Sequence, residues 1–335
     1  MDNAMQNRLT LFADNAQTIR KEFTWQSALT KRMAALLYAQ ENKPIDCESI
    51  RECHTLIKQN TGAFSSFRGN LDLCVATLLS LSPNPQVLFD ETLKVYDLLK
   101  SVKFHGSDYL VVAALQIASQ ANPENFMNVI TRTRAYYDGM KANHFFYTGQ
   151  DDYIYSAMLG LSDLDATDGT ERIEQLNNLL KDEFWNRNSV QALAQILVLG
   201  GSDDETVRRV LSMRDALRTN KLKLDKAYTL PMLGILAMMN IEINTIVRDI
   251  EETQIYLREQ KGFGLLSVTT QELLLFVVGI IASEYAQSVR DGILTAAIST
   301  SITNIIIAQQ AAMIAAVSAS VSASAAASAS ASSSS

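Results

Sequence analysis

Apolar positions recur three or four residues apart through most of this chain, the spacing of a stripe along an α-helix. Leu9, Phe12, Ala16, Ile19 and Phe23 form the first such run, and Trp25, Leu29, Met33, Leu36 and Leu37 the second, which stops at Pro44. Ile50, Cys53, Leu56 and Ile57 make a third that ends at Gly62. These runs predict a lead-in of three helices over residues 1–62.

A recurrence at longer range follows. The segments "FRGNLDLCVATLLSLS", "FHGSDYLVVAALQIAS", "YTGQDDYIYSAMLGLS", "WNRNSVQALAQILVLG", "LKLDKAYTLPMLGILAMM" and "LLSVTTQELLLFVVGIIA" share one plan. Most open on a large apolar residue, pass through small or polar residues and enter a run rich in small and aliphatic side chains. Between them lie more polar stretches with a single apolar stripe. Leu88, Phe126, Ile173, Val207 and Ile246 hold equivalent places in those stretches, roughly 40 residues apart, a period of helical-pair repeats. One helix of each pair is apolar on most sides and is expected to be buried; its mate keeps a charged outer face. A lone pair cannot cover its own apolar surface, so pairs must stack. The sequence therefore predicts an all-α fold of stacked helical pairs, an α-solenoid, over residues 63–291, continuous with the lead-in helices. At the junctions Asp108, Asp151, Ser189, Asp225 and Thr269 stand where helix N-caps are wanted. Gly69, Gly106 and Gly149 stand where tight turns are. Asp203, Asp204 and Glu205 place negative charge at a helix start.

From Gly292 to the end there is no charged residue. Residues 292–317 read as a small-residue helical segment, and the Ala/Ser alternation of 318–335 as a flexible tail with little to bury. As one helix, Ile293 to Val317 would be about 37 Å long, enough to cross a bilayer. Asn304, Gln309 and Gln310 oppose insertion near its middle, and no Lys, Arg, Trp or Tyr anchors its far side. Packing on the last repeat, or self-association through 293–317, is the preferred expectation.

Composition sharpens this picture in two places. Five prolines and fourteen glycines in 335 residues suit long helices. A net charge of −7 repels phosphate backbones and anionic lipid, so nucleic acid is not an expected partner. Cys47, Cys53 and Cys74 read as reduced thiols, and "MDNAMQNRLTLF" lacks the pattern of a secretory signal, so a cytoplasmic location is expected.

The recurrent aromatic–x–Gly junctions, the "GQDDY" turn and the late "IIIAQQAAMIAAV" segment resemble an uncharacterised bacterial family, one of the domains of unknown function found in Firmicutes. The resemblance runs over nearly the whole chain. It implies an all-helical bacterial protein and carries no activity and no site residues.

No residue set commits the sequence to a chemistry, and no catalytic, cofactor-binding or metal-binding residues are assigned. Cys47 and His54 on one helix would stand about 10.5 Å apart along its axis, too far to share an ion. His105 and His144 lie in junctions beside aromatics; either could serve as a general base beside a carboxylate such as Asp108, or simply fill a junction. Asp151 and Asp152 read first as helix-start residues. Gly262 and Gly264 make a turn, since no strand precedes them as a phosphate loop requires. The basic run Arg208, Arg209, Arg214, Arg218, Lys221, Lys223 and Lys226 is either a docking patch or, with its interleaved acids, a solvated helix face.

Three functions remain open. The first is a protein–protein interaction or scaffold module that binds a protein or peptide on its repeat surface. The second is an enzyme whose small-molecule site is lined by Phe104, Tyr109, Phe145, Phe146, Tyr147, Tyr153 and Tyr155. The third is membrane association through the C-terminal segment.

Overall fold

The computed structural model describes residues 3–288 other than 145, together with Ala308. Among the described residues the chain is all-helical, with fourteen α-helices, two short 3-10 turns and no strand. The helices are α1 (Asn3–Glu22), α2 (Ala28–Gln40), α3 (Cys47–Asn60), α4 (Asp72–Leu81), α5 (Pro85–Ser101), α6 (Asp108–Gln120), α7 (Phe126–Asn143), α8 (Asp152–Leu161), α9 (Ala166–Leu180), α10 (Arg187–Leu199), α11 (Asp204–Thr219), α12 (Leu230–Met238), α13 (Ile243–Glu259) and α14 (Thr270–Ser288).

Two kinds of helix alternate, as the pattern of the sequence predicts. In α6, α8, α10 and α12 a continuous run of residues is buried, such as Leu230–Ala237 in α12. In α11 only one stripe is buried, including Val207, Val210, Met213 and Leu217. The odd-numbered helices lie outside and the even-numbered ones inside, so each inner helix is covered by neighbours on most sides. Burying a large apolar side chain is worth about 1.5–3 kcal/mol, which makes this stacking the main stabilising term.

Each outer helix packs on the inner helix that follows it: α1 on α2, α3 on α4, and so on to α13 on α14. In that frame α1, α2 and α3 open the same array that the later repeats continue.

The array also closes on itself, which the sequence does not foretell. Inner helix α14 packs on α12 on one side and on α2 and α1 on the other, and α13 reaches α1. The ring Phe12 lies 5.2 Å from Phe263 and 5.5 Å from Phe276, centroid to centroid. Buried Arg8 meets Glu284 at 2.9 Å and donates to the Gln40 carbonyl at 3.0 Å. Arg32 meets Glu272 at 2.8 Å and donates to the Gly262 carbonyl. First and last pairs are thus joined by apolar and ionic contacts, and the array of pairs closes into a ring, with α5 and the 3-10 turn Ser66–Arg68 linking α4 to α6.

A second device recurs without a sequence motif to announce it. Arg132 on α7 donates to the carbonyls of Gly160, Ser162 and Leu164, gathering the chain that leaves α8. Arg209 on α11 does the same for Ala237, Met239 and Ile241 after α12. Each guanidinium satisfies carbonyls that a helix end leaves without intrahelical donors.

The α7–α8 contact is close at Gly160. A Cβ added there would lie 2.9 Å from both the Thr133 backbone nitrogen and the Val129 carbonyl oxygen, atoms that cannot swing aside. Gly160→Ala is expected to cost about 1–3 kcal/mol, read as a lower denaturation midpoint with an unchanged slope.

Candidate functional site: a basin at one end of the ring

Seven connections lead from an outer helix to an inner one, and all seven come together at one end of the ring. There the N-termini of the inner helices face a basin made of two cavities that share Tyr228 as a wall. The larger holds about 600 Å³ and is lined by Trp25, Gln26, Arg32, Asp72 and Gln271 among others. The smaller holds about 350 Å³ and is lined by Tyr109, Asp151, Asp152, Tyr155 and Asn188 among others. Ala308, the one described residue of the uncharged C-terminal segment, is buried and also lines the smaller cavity. The rest of that segment and the Ala/Ser tail lie outside the described residues.

Asp152 is the most constrained group in the basin. It sits in the first turn of α8, only 3% exposed. Its Oδ1 accepts from Gln191 Nε2 at 2.9 Å and Gln195 Nε2 at 2.8 Å, and its Oδ2 accepts from the Gly149 backbone N–H at 2.9 Å. The two glutamines are buried polar residues one turn apart on α10, so the carboxyl ties α8 to α10. Burial, reinforced by the neighbouring charge of Asp151, raises its pKa from 3.8 to about 7. Asp151 itself accepts from Asn188 Nδ2 at 2.7 Å. At the opposite wall Asp72 accepts from Gln26 Nε2 at 2.8 Å and faces His54 Nε2 at 2.9 Å. Glu272 has its pKa raised by burial, against the pull of Arg32.

The residues singled out from sequence divide. Tyr109 and Tyr155 do line the basin, and burial pushes the Tyr109 hydroxyl pKa up. Phe104 and Tyr153 instead form a buried cluster with Tyr137, at centroid distances of 4.8 to 5.4 Å, and Phe145 lies outside the described residues. Phe146 and Tyr147 are exposed and line neither cavity. The His105 ring is exposed and Asp108 is turned away from it, accepting from the Asn70 backbone N–H at 2.9 Å. Gly69 serves that approach rather than a turn of unusual backbone: its φ is −79°, and a Cβ there would run into the Asp108 carboxylate. His144 does meet a carboxylate, Glu174 at 2.5 Å, and Asn177 at 3.0 Å, but on α9 and away from the basin wall.

His54 pairs with Asp72, and among the described residues no cluster of three or more His, Cys, Asp or Glu is placed to hold a metal ion. Burial raises the Cys53 thiol to about 11 and the Cys74 thiol to about 12, which suppresses the reactive thiolate. In the basic run, Arg214 pairs with Glu183 and Asp215, Arg218 pairs with Asp225, and Arg209 holds carbonyls, so these three serve the fold.

The expected N-caps shift by a few residues. Ser107, Asn186 and Thr229 occupy the cap positions in place of Asp108, Ser189 and Asp225. Asp151 holds the cap position of α8 without a side-chain cap bond, Asp203 caps α11, and Thr269 accepts from the Glu272 N–H as expected.

Three comparisons with known proteins bear on identity. The profile of one family, described as protein of unknown function (DUF4003), matches residues 15–311. The chain is similar to the uncharacterized protein YeaA of Bacillus subtilis (strain 168), 23% identical over 283 residues that cover 82% of each chain. No solved structure matches. Among the described residues no helix is long and apolar enough to cross a membrane.

Proposed function

We propose a function for this chain, which belongs to the protein family of unknown function DUF4003, from the basin at the end of its ring: it binds a small, polar, uncharged or cationic molecule there. The observation that carries this reading is the wall of the basin. Carboxyl groups of Asp72, Asp151, Asp152 and Glu272 line it together with tyrosine hydroxyls and side-chain amides. Such a wall offers acceptors and aromatic faces to hydroxyl and ammonium groups, and it disfavours anions because the guanidinium of Arg32 in it is already paired with Glu272. Asp152, with a proton affinity near neutrality, is the group there suited to exchanging a proton with a bound molecule. We prefer this reading to a scaffold that binds along the array, because the acceptor-lined basin offers a defined set of polar groups to a small molecule.

A thermal-shift screen of polyols, sugars, amines and dicarboxylates tests it. Polyols, sugars or amines are expected to stabilise the protein by about 2.7 kcal/mol at one hundred times Kd, with no response to dicarboxylates. Tyr228→Phe and Asp151→Asn should weaken that response. The reading is overturned if only dianions stabilise, or if no compound does.

A further inference from the structure

The two ends of the ring differ in a way that the net charge of −7 conceals. The connections at the basin end contain seven lysines and arginines against four acids. Three of those acids are matched by arginines on helices: Glu183 by Arg214, Asp182 by Arg187 and Asp225 by Arg218. Lys103, Lys221, Lys223, Lys226 and Lys261 are all exposed. The connections at the opposite end contain seven acids and one lysine. The loop tips are therefore polarised along the ring axis, basic at the basin end, while the carboxyls of Asp72, Asp152 and Glu272 stand within the basin, below the tips.

The same basic end carries large apolar side chains at its loop tips. Phe64, Trp185 and Leu266 are 105%, 98% and 106% exposed, and Leu265 and Trp25 stand out beside them. They come from four different connections, α3–α4, α9–α10, α13–α14 and α1–α2. The connections of the acidic end expose one large apolar residue, Leu164. Large apolar side chains this exposed mark a surface that meets something other than water, and here they share an end with the lysines.

We infer that this end docks on an anionic lipid surface, with Phe64, Trp185 and Leu266 entering the headgroup region and the lysines meeting lipid phosphates. Anchors placed one per loop around a basin do not form the contiguous apolar patch of a protein interface. They suit a partner with no fixed relief that can meet every loop at once. Trp, Phe and Leu beside Lys is the composition that partitions at a bilayer surface. A second copy is a poorer occupant. End to end it would set lysines against lysines, and its acidic end would leave the rings facing carboxylates. The inference does not depend on the ligand proposed for the basin.

Co-sedimentation of the full chain with vesicles tests it, using phosphatidylcholine alone or with about a third phosphatidylglycerol. At low salt the protein is expected to sediment with the anionic vesicles and not with the neutral ones. Trp185 emission should shift to the blue in a Trp25→Phe background. Changing Lys221, Lys223 and Lys226 to Gln should weaken binding about 100-fold, at ~1 kcal/mol per lysine. Phe64→Ser with Trp185→Ser should weaken it at least tenfold while leaving circular dichroism and thermal midpoint unchanged, since both rings are outside the core. Loss in these loop variants separates the docking end from any contribution of residues 292–335, which they leave intact. The inference is overturned by equal sedimentation with neutral vesicles, by no binding to anionic ones, by full binding of the Phe64/Trp185 variant, or by salt-sensitive self-association that proceeds without lipid.

Discussion

Phe12→Ala is expected to cost about 3–5 kcal/mol and to loosen the seam of the ring before the rest. Phe12 is fully buried, and its ring touches Phe263 and Phe276, which belong to the turn before α14 and to α14 itself. Removing it leaves a cavity between elements some 250 positions apart in sequence, where no short loop holds the chain together. The ionic contacts around it cannot make up the loss. Arg8 and Glu284 are both buried, and a buried ion pair repays little more than its own desolvation. The same logic makes Arg8→Ala costly in another way, since it strands the Glu284 carboxylate inside the seam. Hydrogen exchange separates a seam from a uniform defect. In Phe12→Ala the amides of α1, α2, α13 and α14 should lose protection more than those of α7 and α8 on the far side of the ring. Equal loss everywhere would show that the ring unfolds only as one unit, and a cost below about 1 kcal/mol would show that the seam is not held by this ring.

What the sequence disclosed and what it withheld follow from the range of each interaction. The alternation of buried and half-buried helices is a local signal, and residues such as Val190–Val198 or Val207 and Val210 carry it in their spacing. Closure is not local: Arg8 and Glu284 are 276 positions apart, and no period links them. The basin is equally invisible, because its walls come from six separate connections and from the first turns of the inner helices. Two of its three tyrosines, Tyr109 and Tyr155, could be singled out as junction aromatics, but nothing in the sequence distinguishes them from Phe104 and Tyr153, which face the core. The carbonyl-gathering arginines were missed for a different reason. Arg132 and Arg209 lie 28 residues before the first carbonyls they hold, and backbone acceptors leave no trace in residue identity. Asp108 stands in the first turn of α6 and not at its cap because acids also favour that turn, and its carboxylate accepts from the Asn70 backbone N–H outside its own helix. The charge polarity was present in the sequence all along; it needed only the assignment of each loop to an end.

Asp152 should make the stability of the protein fall as pH rises from the ordinary carboxylate range toward neutrality. In the unfolded chain the group ionises near 3.8, whereas in the fold burial holds its proton until about 7. Between those values the folded state binds the extra proton, so raising the pH removes stability, and the loss is complete once the folded group has ionised. Between about pH 5 and pH 8 the group alone should withdraw about 2–3 kcal/mol. Asp152→Asn removes the titration. Its amide meets the Gly149 N–H less well than a carboxylate oxygen does, so the variant carries a constant penalty of about 1–3 kcal/mol at every pH. The gap between wild type and variant should therefore be widest at about pH 5 and narrow, or invert, by about pH 8. Urea midpoints of both proteins across that range decide it. Parallel curves would mean that the donors from Gln191, Gln195 and Gly149 already hold Asp152 ionised at low pH, and that the basin contains no group that changes its proton near neutrality. Converging curves would place such a group at the wall of the smaller cavity, where a bound hydroxyl or ammonium would meet it.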